Sequence, residues 1–523
     1  MQPTKEETSQ LLKYVLPDDY SEKDREKYPI SAQEVVEALK AGKTVEIRNA
    51  VIEGDFNLES VVVEGKVTIE GTMFKGLVDC SYATFKQVLR LNGSTFEGDA
   101  NFSAATAEKD IFLNNATFKA ANFVDLSVTG VFYCESTTFK KGAIFARTTI
   151  KKDIFLEKSI FEDGEASFLK TLIGGAAEFT CAVFKQKANF NSAQIEELAA
   201  FNQATFEGDA DFISAQIGGN AEFDGAVFKQ KANFNSAQIE GHAFFRPATF
   251  EGDADFGSAQ IGGNAGFTNA HFKEYANFYT AQFKMDAIFE GTVFDKNVIF
   301  QNISFRTCFF DRDPAKQFLG TIDLRGCTYE RIEPTSIWEE LMNRLYPYDR
   351  QPFTQLEETF RRAGQDRLAN EVYYARKEKE TALYKERKER LIWIGRLVHK
   401  WLVGYGVHIW RILIASVIAV IIGTAVFQID RAIELKQETQ QLTAEEGSSN
   451  TNQDRGVPHG WCDGFWLSVR FFLPMEIPFG SKWIASSNTF CGIKFSTIAI
   501  ILKIAGWVLV PVGVAGLTGI LKR

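Results

Sequence analysis

Proline and methionine are scarce in this chain of 523 residues, which contains 12 Pro and 5 Met against 47 Phe. No proline occurs anywhere between Pro29 and Pro247. Because proline cannot donate to a strand ladder, this long gap favours continuous hydrogen-bonded sheet. The seven cysteines are too few to staple a disulfide-rich fold of this length.

An excess of positive charge is also missing, since 58 Lys+Arg stand against 67 Asp+Glu for a net charge of −9. With 45% hydrophobic residues, this balance excludes a disordered chain, a collagen-like chain and a strongly basic nucleic-acid-binding protein. No nucleic-acid partner is expected. Residues 1–30 are polar and mixed in charge, so we expect an N-terminal tail there and no cleavable signal peptide.

Large apolar residues recur alternately five and six positions apart over residues 51–305. A 44-residue duplication lies on this beat, since residues 185–223 match 229–267 at 32 of 39 positions. The spacing fits neither a helix nor one long strand. It predicts a β-solenoid with 22-residue coils, eleven of them between Leu58 and Phe305, with two one-residue register slips between Phe118 and Phe184. The predicted inward ladder includes Phe190, Phe201, Phe206, Phe212, Phe223, Phe228, Phe234, Phe245, Phe250 and Phe256.

The triplets Ala210-Asp211-Phe212 and Ala232-Asn233-Phe234 resemble the repeat unit of pentapeptide-repeat proteins. That resemblance implies a right-handed quadrilateral β-helix. The extra residue in every eleven departs from the family pattern, and we expect it to loosen alternate corners. Residues 31–50 are expected to form a capping helix, opened by a Ser31–Glu34 capping box, and a first strand. Residues 306–346, including Trp338 and Leu341, are expected to cap the other end.

A basic neck and two apolar segments follow the repeat. Residues 376–400 hold nine Lys/Arg and four Glu, whereas residues 430–464 hold three Lys/Arg and seven acids. Residues 347–411 are interpreted as a helical hairpin and juxtamembrane neck, and residues 412–429 and 495–523 as transmembrane helices. The charge asymmetry predicts a two-pass membrane protein with both termini cytoplasmic. Membrane lipid is therefore an expected partner, and the expected interface residues are Trp401, Trp410, Arg411 and Lys503.

The sequence WLVGYGVHIWR at 401–411, the triplet Ala505-Gly506-Trp507 and residues 514–519 resemble bacterial membrane proteins that join pentapeptide repeats to a two-span, ion-channel-like domain. That resemblance implies a bacterial-type inner membrane. In the extracytoplasmic loop 430–494, a re-entrant segment is expected over 465–480. Its pore-loop candidates are Arg470, Pro474, Glu476, Pro478 and Gly480, with Glu476 as the acid of a selectivity ring. An interfacial anchor whose Glu476 faces water is the alternative. The Val403-Gly404-Tyr405-Gly406 sequence imitates a potassium filter, but the charged segment before it predicts a juxtamembrane turn.

Three further questions stay open on the sequence: the state of two cysteines, the oligomeric state and the function. Cys462 and Cys491 either form a disulfide on the outer side or remain free thiols. Small residues in the second span fit both a homo-oligomer and packing within one chain. No catalytic, metal-binding or cofactor-binding motif is present, so we expect no enzyme and no cofactor. The two candidate functions are a sensing or scaffold solenoid on a two-span channel, and a non-conducting anchored scaffold for a basic protein partner or a DNA-mimic inhibitor.

Overall fold

The computed structural model describes residues 4–408, 410–429, 431–435, 460–479, 483–490 and 492–517. The chain divides between Ala363 and Gly364 into two compact units. The first unit contains the repeat, and the second contains the apolar helices.

The first unit is a β-solenoid of about 14 turns with a spacing of about 22 residues. Each coil has four short sides, which for one coil are the strands Ala188–Asn189, Gln194–Ile195, Ala199–Ala200 and Thr205–Phe206. We call these the first to fourth sides. Every strand pairs in parallel with the equivalent strand of the next coil, as Ala188 does with Ala210. Two-residue strands suffice because each side holds only one large inward residue between two corners, with a buried alanine two positions before it, as Ala188 precedes Phe190.

Phenylalanine stacks fill the interior of the solenoid. Phe190 and Phe212 stack with ring centroids 4.8 Å apart and planes 1° from parallel. Phe190 also meets Phe201 of the third side edge-on, at 5.1 Å and 87°. The second side contributes isoleucines such as Ile217 to the same buried core. Both ring arrangements are favourable for aromatic pairs, so the stacks add ring–ring attraction to the burial of apolar surface.

Two kinds of corner alternate around each coil, as the five/six beat requires. At five-residue corners a turn closes with a hydrogen bond, as from Ala215 N to Phe212 O (3.1 Å), and Ser214 there has a φ of +53°. The six-residue corners are bends whose amides bond to the preceding coil instead, as Glu207 N does to Phe184 O (2.8 Å). The extra residue therefore takes the place of a closed turn.

The two register slips occur as one short coil and one long coil. Phe102 stacks on Phe123, one position short of the regular repeat, whereas Phe145 stacks on Phe168, one position beyond it. The added residue lies in a corner that contains Gly164, whose φ is +101°. A Cβ on Gly164 would lie 2.8 Å from the carbonyl oxygen of Lys141, so this corner admits only glycine without displacement.

Residues 4–30 are part of the solenoid, so the prediction of an N-terminal tail is wrong. They contain the strands Thr4–Glu7, Leu11–Val15 and Pro29–Ser31 and the short helix α1, Glu22–Arg25. Leu11–Val15 pairs in parallel with Thr44–Arg48. The physical reason is the alternation of Leu12, Tyr14 and Leu16, which places their side chains in the core while the residues between them are only half-buried.

Helix α2, Ala32–Lys40, covers the first coils and buries Val35 and Leu39. The predicted capping box does not form, because the Ser31 side chain makes no capping hydrogen bond. Glu34 forms an ion pair with Lys5 of the first strand instead. Because Glu34 pairs with Lys5 of the first strand, its side chain does not cap the start of α2.

The predicted boundary of the distal cap is also wrong, because residues 306–346 begin with a further coil. The strands Ser304–Phe309, Ile322–Asp323 and Thr328–Glu333 continue the parallel pairing. The helices α3, Pro314–Gln317, α4, Trp338–Asn343, and α5, Gln351–Arg362, complete this end. Trp338 and Leu341 are buried in α4. Gln355 of α5 donates to the carbonyl of Tyr329 (2.9 Å), which satisfies an acceptor of the last strand.

The second unit is helical. Its helices are α6, Asp366–Glu386, α7, Arg390–Val403, α8, Trp410–Phe427, α9, Trp461–Phe472, and α10, Phe495–Leu517. Ile433–Leu435 pairs antiparallel with Trp483–Ala485, and Thr489–Phe490 with Ile493–Lys494. The filter-like residues form a tight turn after α7, since Gly404, Tyr405 and Gly406 all have positive φ.

Candidate membrane segment and solenoid surface

Helices α8 and α10 are long and apolar enough to cross a membrane. Their apolar windows have mean hydropathies of 2.2 and 2.3, and only 22% of each window is buried. The core helix of a soluble protein would bury most of its length. Side chains such as Ile421 and Ile504 face outward instead, as they do in helices surrounded by lipid.

Lys503 lies within the second candidate span and not at its edge, where an interface residue was expected. Helix α10 begins at Phe495, so Lys503 is its ninth residue and is exposed. The apolar residues before Lys503 extend the helix by two turns. A lysine at this depth reaches the interface only by extending its side chain along the helix.

Helix α9 packs against both apolar helices, and small residues permit the close approach. A Cβ on Gly423 of α8 would lie 3.0 Å from Ser468 Oγ of α9. On the other side, Gly506 of α10 faces the backbone of Phe472 at the end of α9. Leu467 and Phe472 are buried in the core that the three helices share. Glycine at a helix crossing allows this kind of backbone approach in membranes.

The pore-loop candidates lie at the end of α9 and after it. Arg470 is half-buried in the last turn of α9, whereas Pro474, Glu476 and Pro478 are exposed. Gly480 lies outside the described residues. The structure thus places Glu476 on an exposed turn that follows a helix of 12 residues, or about 18 Å at 1.5 Å per residue.

The predicted interface and cysteine residues lie around the same segment. Trp401 and Trp410 are exposed, and Arg411 is half-buried and donates to the carbonyl of Lys400 (3.4 Å). Cys462 is exposed in the first turn of α9 and is not bonded to any cysteine that the structure describes. Its suggested partner Cys491 lies outside the described residues.

An aromatic stack that was not predicted from the sequence runs along the outer surface of the third side of the solenoid. Phe112 stacks on Tyr133 at 4.6 Å, and Tyr133 stacks on Phe155 at 5.3 Å. The guanidinium of Arg90 lies 3.9 Å from the centre of the Phe112 ring and covers one end of the stack. We call Arg90, Phe112, Tyr133 and Phe155 the outer aromatic stack. The sequence did contain a signal for this stack, because its residues recur once per coil and each stands next to an inward residue of the ladder.

Acidic residues follow the stack on this side. Glu178 occupies the position equivalent to Phe155 in the next coil, and Ala200 and Glu222 occupy it in the two coils after that. Burial raises the pKa of Glu178, and the like charges of Glu157 and Glu222 raise it further. The side therefore presents an apolar ring surface next to a concentrated negative potential.

Other acids of the solenoid support its own turns. Asp211 and Asp255 each accept a hydrogen bond from the amide two residues later, at 3.0 and 2.9 Å. Asp209 accepts a bond from the amide of Lys231 in the next coil (3.3 Å). Among the residues that the structure describes, no group of His, Cys, Asp or Glu is arranged to hold a metal ion.

The comparisons with known proteins identify the repeat. Residues 81–126, 170–216 and 212–260 match the family described as pentapeptide repeats (9 copies). All three stretches lie within the solenoid. No curated protein and no solved structure matches the chain. The solenoid therefore contains pentapeptide repeats, and two helices long and apolar enough for a two-span domain follow it at the C-terminal end.

Proposed function

We propose that this protein is a two-pass protein of a bacterial-type inner membrane whose solenoid acts as a cytoplasmic interaction scaffold. The membrane placement rests on the outward apolar surfaces of α8 and α10. The orientation rests on the nine Lys/Arg of residues 376–400 and on the acidic excess of residues 430–464. Positive loops are retained on the cytoplasmic side, which places both termini there.

The observation that carries the scaffold role is the outer aromatic stack beside Glu178 and Glu222. A partly exposed row of rings is costly to leave in water, and aromatic residues and arginine are enriched at protein interfaces. Residues 51–305 carry 33 acids and 21 bases, a net charge of −12. The partner that fits this surface is a protein segment with apolar and basic side chains.

Site-specific photo-cross-linking in cells tests this role. A cross-linking phenylalanine analogue at Tyr133 should give a defined adduct, whereas the same analogue at Thr205 on the fourth side should not. Neutralising Glu178 and Glu222 to Gln should reduce the Tyr133 adduct, as should added salt in isolated membranes. Equal adducts at both positions, or an adduct that ignores charge and salt, would rule out this surface as the binding site.

Ion conduction is a second candidate, favoured by the packing of the short helix α9 against both α8 and α10. A channel of this kind would be a homo-oligomer of the two-span segments, with the exposed Glu476 near the conduction path. Cation flux through reconstituted protein should then change selectivity in Glu476→Gln, since a ring of carboxylates attracts cations. A Glu358→Gln substitution on α5 serves as the control for a removed carboxylate. If the parent carries no flux at any salt or voltage, the channel hypothesis is wrong and the scaffold proposal is unaffected.

A further inference from the structure

Helix α7 carries a continuous exposed apolar stripe. The exposed fractions are 87% for Leu391, 49% for Ile394, 51% for Val398 and 77% for Trp401. Their spacing of three, four and three residues places all four side chains within about a quarter of the helix circumference. A soluble helix with this pattern would turn the stripe toward its neighbours.

The opposite face of α7 is the one that packs on α6, and it is joined to α6 by ion pairs. Arg396 pairs with Glu380 at 3.0 Å, and Lys400 pairs with Glu378. The Arg396 guanidinium also lies 4.6 Å from the centre of the Tyr384 ring. Ion pairs therefore fix the orientation of α7, and the apolar stripe points away from α6.

A rigid turn holds α7 close to the start of the apolar helix α8. Tyr405 in this turn is buried, and its hydroxyl lies 2.9 Å from Thr381 Oγ1 of α6. Only six residues separate Val403, the end of α7, from Trp410, the start of α8. The stripe is consequently within reach of the surface of whatever bilayer α8 crosses.

We infer that α7 is an amphipathic helix that lies on the membrane surface and inserts Leu391, Ile394, Val398 and Trp401 among the lipids. The inference rests on the membrane placement proposed above and adds a second membrane contact to the two spans. Arg387, Lys388 and Arg390 are exposed at the N-terminal end of α7, where they would meet lipid headgroups. This combination of an apolar face with basic residues is typical of helices that bind anionic lipid surfaces.

Quenching by lipids brominated at a shallow acyl position tests the inference on the full chain. Reconstituted vesicles should contain phosphatidylcholine with or without phosphatidylglycerol. We compare the parent with Trp401→Phe, Trp393→Phe and Trp507→Phe. Trp401 is on the stripe, whereas Trp393 is less exposed and lies 6.0 Å from Lys385 Nζ, which makes it the matched control. Trp507 on α10 reports on the membrane placement itself.

The inference predicts that shallow quenching is reduced in Trp401→Phe and unchanged in Trp393→Phe. The Trp401 contribution should also decrease when phosphatidylglycerol is omitted. Quenching that is unchanged in Trp401→Phe but reduced in Trp507→Phe would overturn the inference and leave the membrane placement intact. If the parent itself shows no quenching by the brominated lipids, the membrane placement is wrong. Cross-links between copies of the chain through a Val398→Cys variant would overturn the inference, because a second copy of the chain and not lipid would then cover the stripe.

Discussion

Gly506 of α10 lies directly against the carbonyl oxygen of Phe472, the last residue of α9. A Cβ added to Gly506 would overlap that oxygen, far inside any non-bonded contact. The end of α9 therefore meets α10 backbone to backbone. This contact links the short helix to the second apolar helix and depends on the absence of a side chain at one position.

Replacing Gly506 by alanine should force α9 away from α10 and destabilise the second unit. Overpacking of a well-packed core typically costs about 1–3 kcal/mol. Gly395→Ala on α7 is the control, because a Cβ there meets nothing within 4 Å and alanine favours a helix. Thermal unfolding in detergent should show a lower midpoint for Gly506→Ala alone. Equal midpoints for the two variants would contradict this close contact.

Truncation of one inward phenylalanine should lower the free energy of unfolding far more than truncation of an outer one. Phe212 is buried between Phe190 and Phe234, so Phe212→Ala leaves a cavity and should cost about 3–5 kcal/mol. Phe155→Ala removes a ring from the outer aromatic stack, and the ring–ring contribution there is about 0.5–1.5 kcal/mol. Hydrogen exchange of the ladder amides measures both free energies of unfolding. Similar losses would show that the inward ladder does not carry the solenoid.

Acidification should loosen the packing of α7 on α6 through His399. Burial, with the positive charges of Lys377 and Arg396, lowers the pKa of His399 below its ordinary value of about 6.5. A lowered folded-state pKa means that the stabilisation is complete above pH 6.5 and is lost as the pH falls through the lowered pKa. Hydrogen exchange of α6 and α7, corrected for intrinsic rates, should increase on acidification. His399→Gln should remove this pH dependence, and a persisting dependence would assign it to another group.

The sequence predicted the centre of the solenoid well because one large inward residue per side recurs at a regular spacing. Phe190, Phe201 and Phe212 could be placed from spacing alone, and the slips between Phe118 and Phe184 could be counted. The ends were mispredicted because Leu12 and Leu16 alternate as in an ordinary strand. Ser304–Phe309 and Thr328–Glu333 likewise form longer strands that leave the five/six beat.

The membrane segment was predictable in outline only. Hydropathy identified α8 and α10, but the contact of Gly506 with Phe472 depends on how α9 folds back, which no local pattern encodes. The stripe of α7 was readable from the spacing of Leu391, Ile394, Val398 and Trp401. Its exposure was not, because it results from ion pairs of Arg396 and Lys400 with α6.

Native cysteines can report on which side of the membrane the solenoid and the start of α9 lie. Cys181 is partly exposed on the solenoid, and Cys462 is exposed at the start of α9. The other described cysteines are buried with raised pKa values, that of Cys134 to about 12, and a neutral thiol reacts slowly with maleimides. These buried cysteines are Cys80, Cys134, Cys308 and Cys327.

Labelling of these two thiols with a membrane-impermeant maleimide in spheroplasts tests the central claim most directly, with Cys491 replaced by serine. We predict that Cys462 is labelled in intact spheroplasts and that Cys181 is labelled only after permeabilisation. The variants Cys462→Ser and Cys181→Ser identify each signal. Labelling of Cys181 in intact spheroplasts, or release of the chain from membranes by alkaline carbonate, would contradict a two-pass protein with a cytoplasmic solenoid.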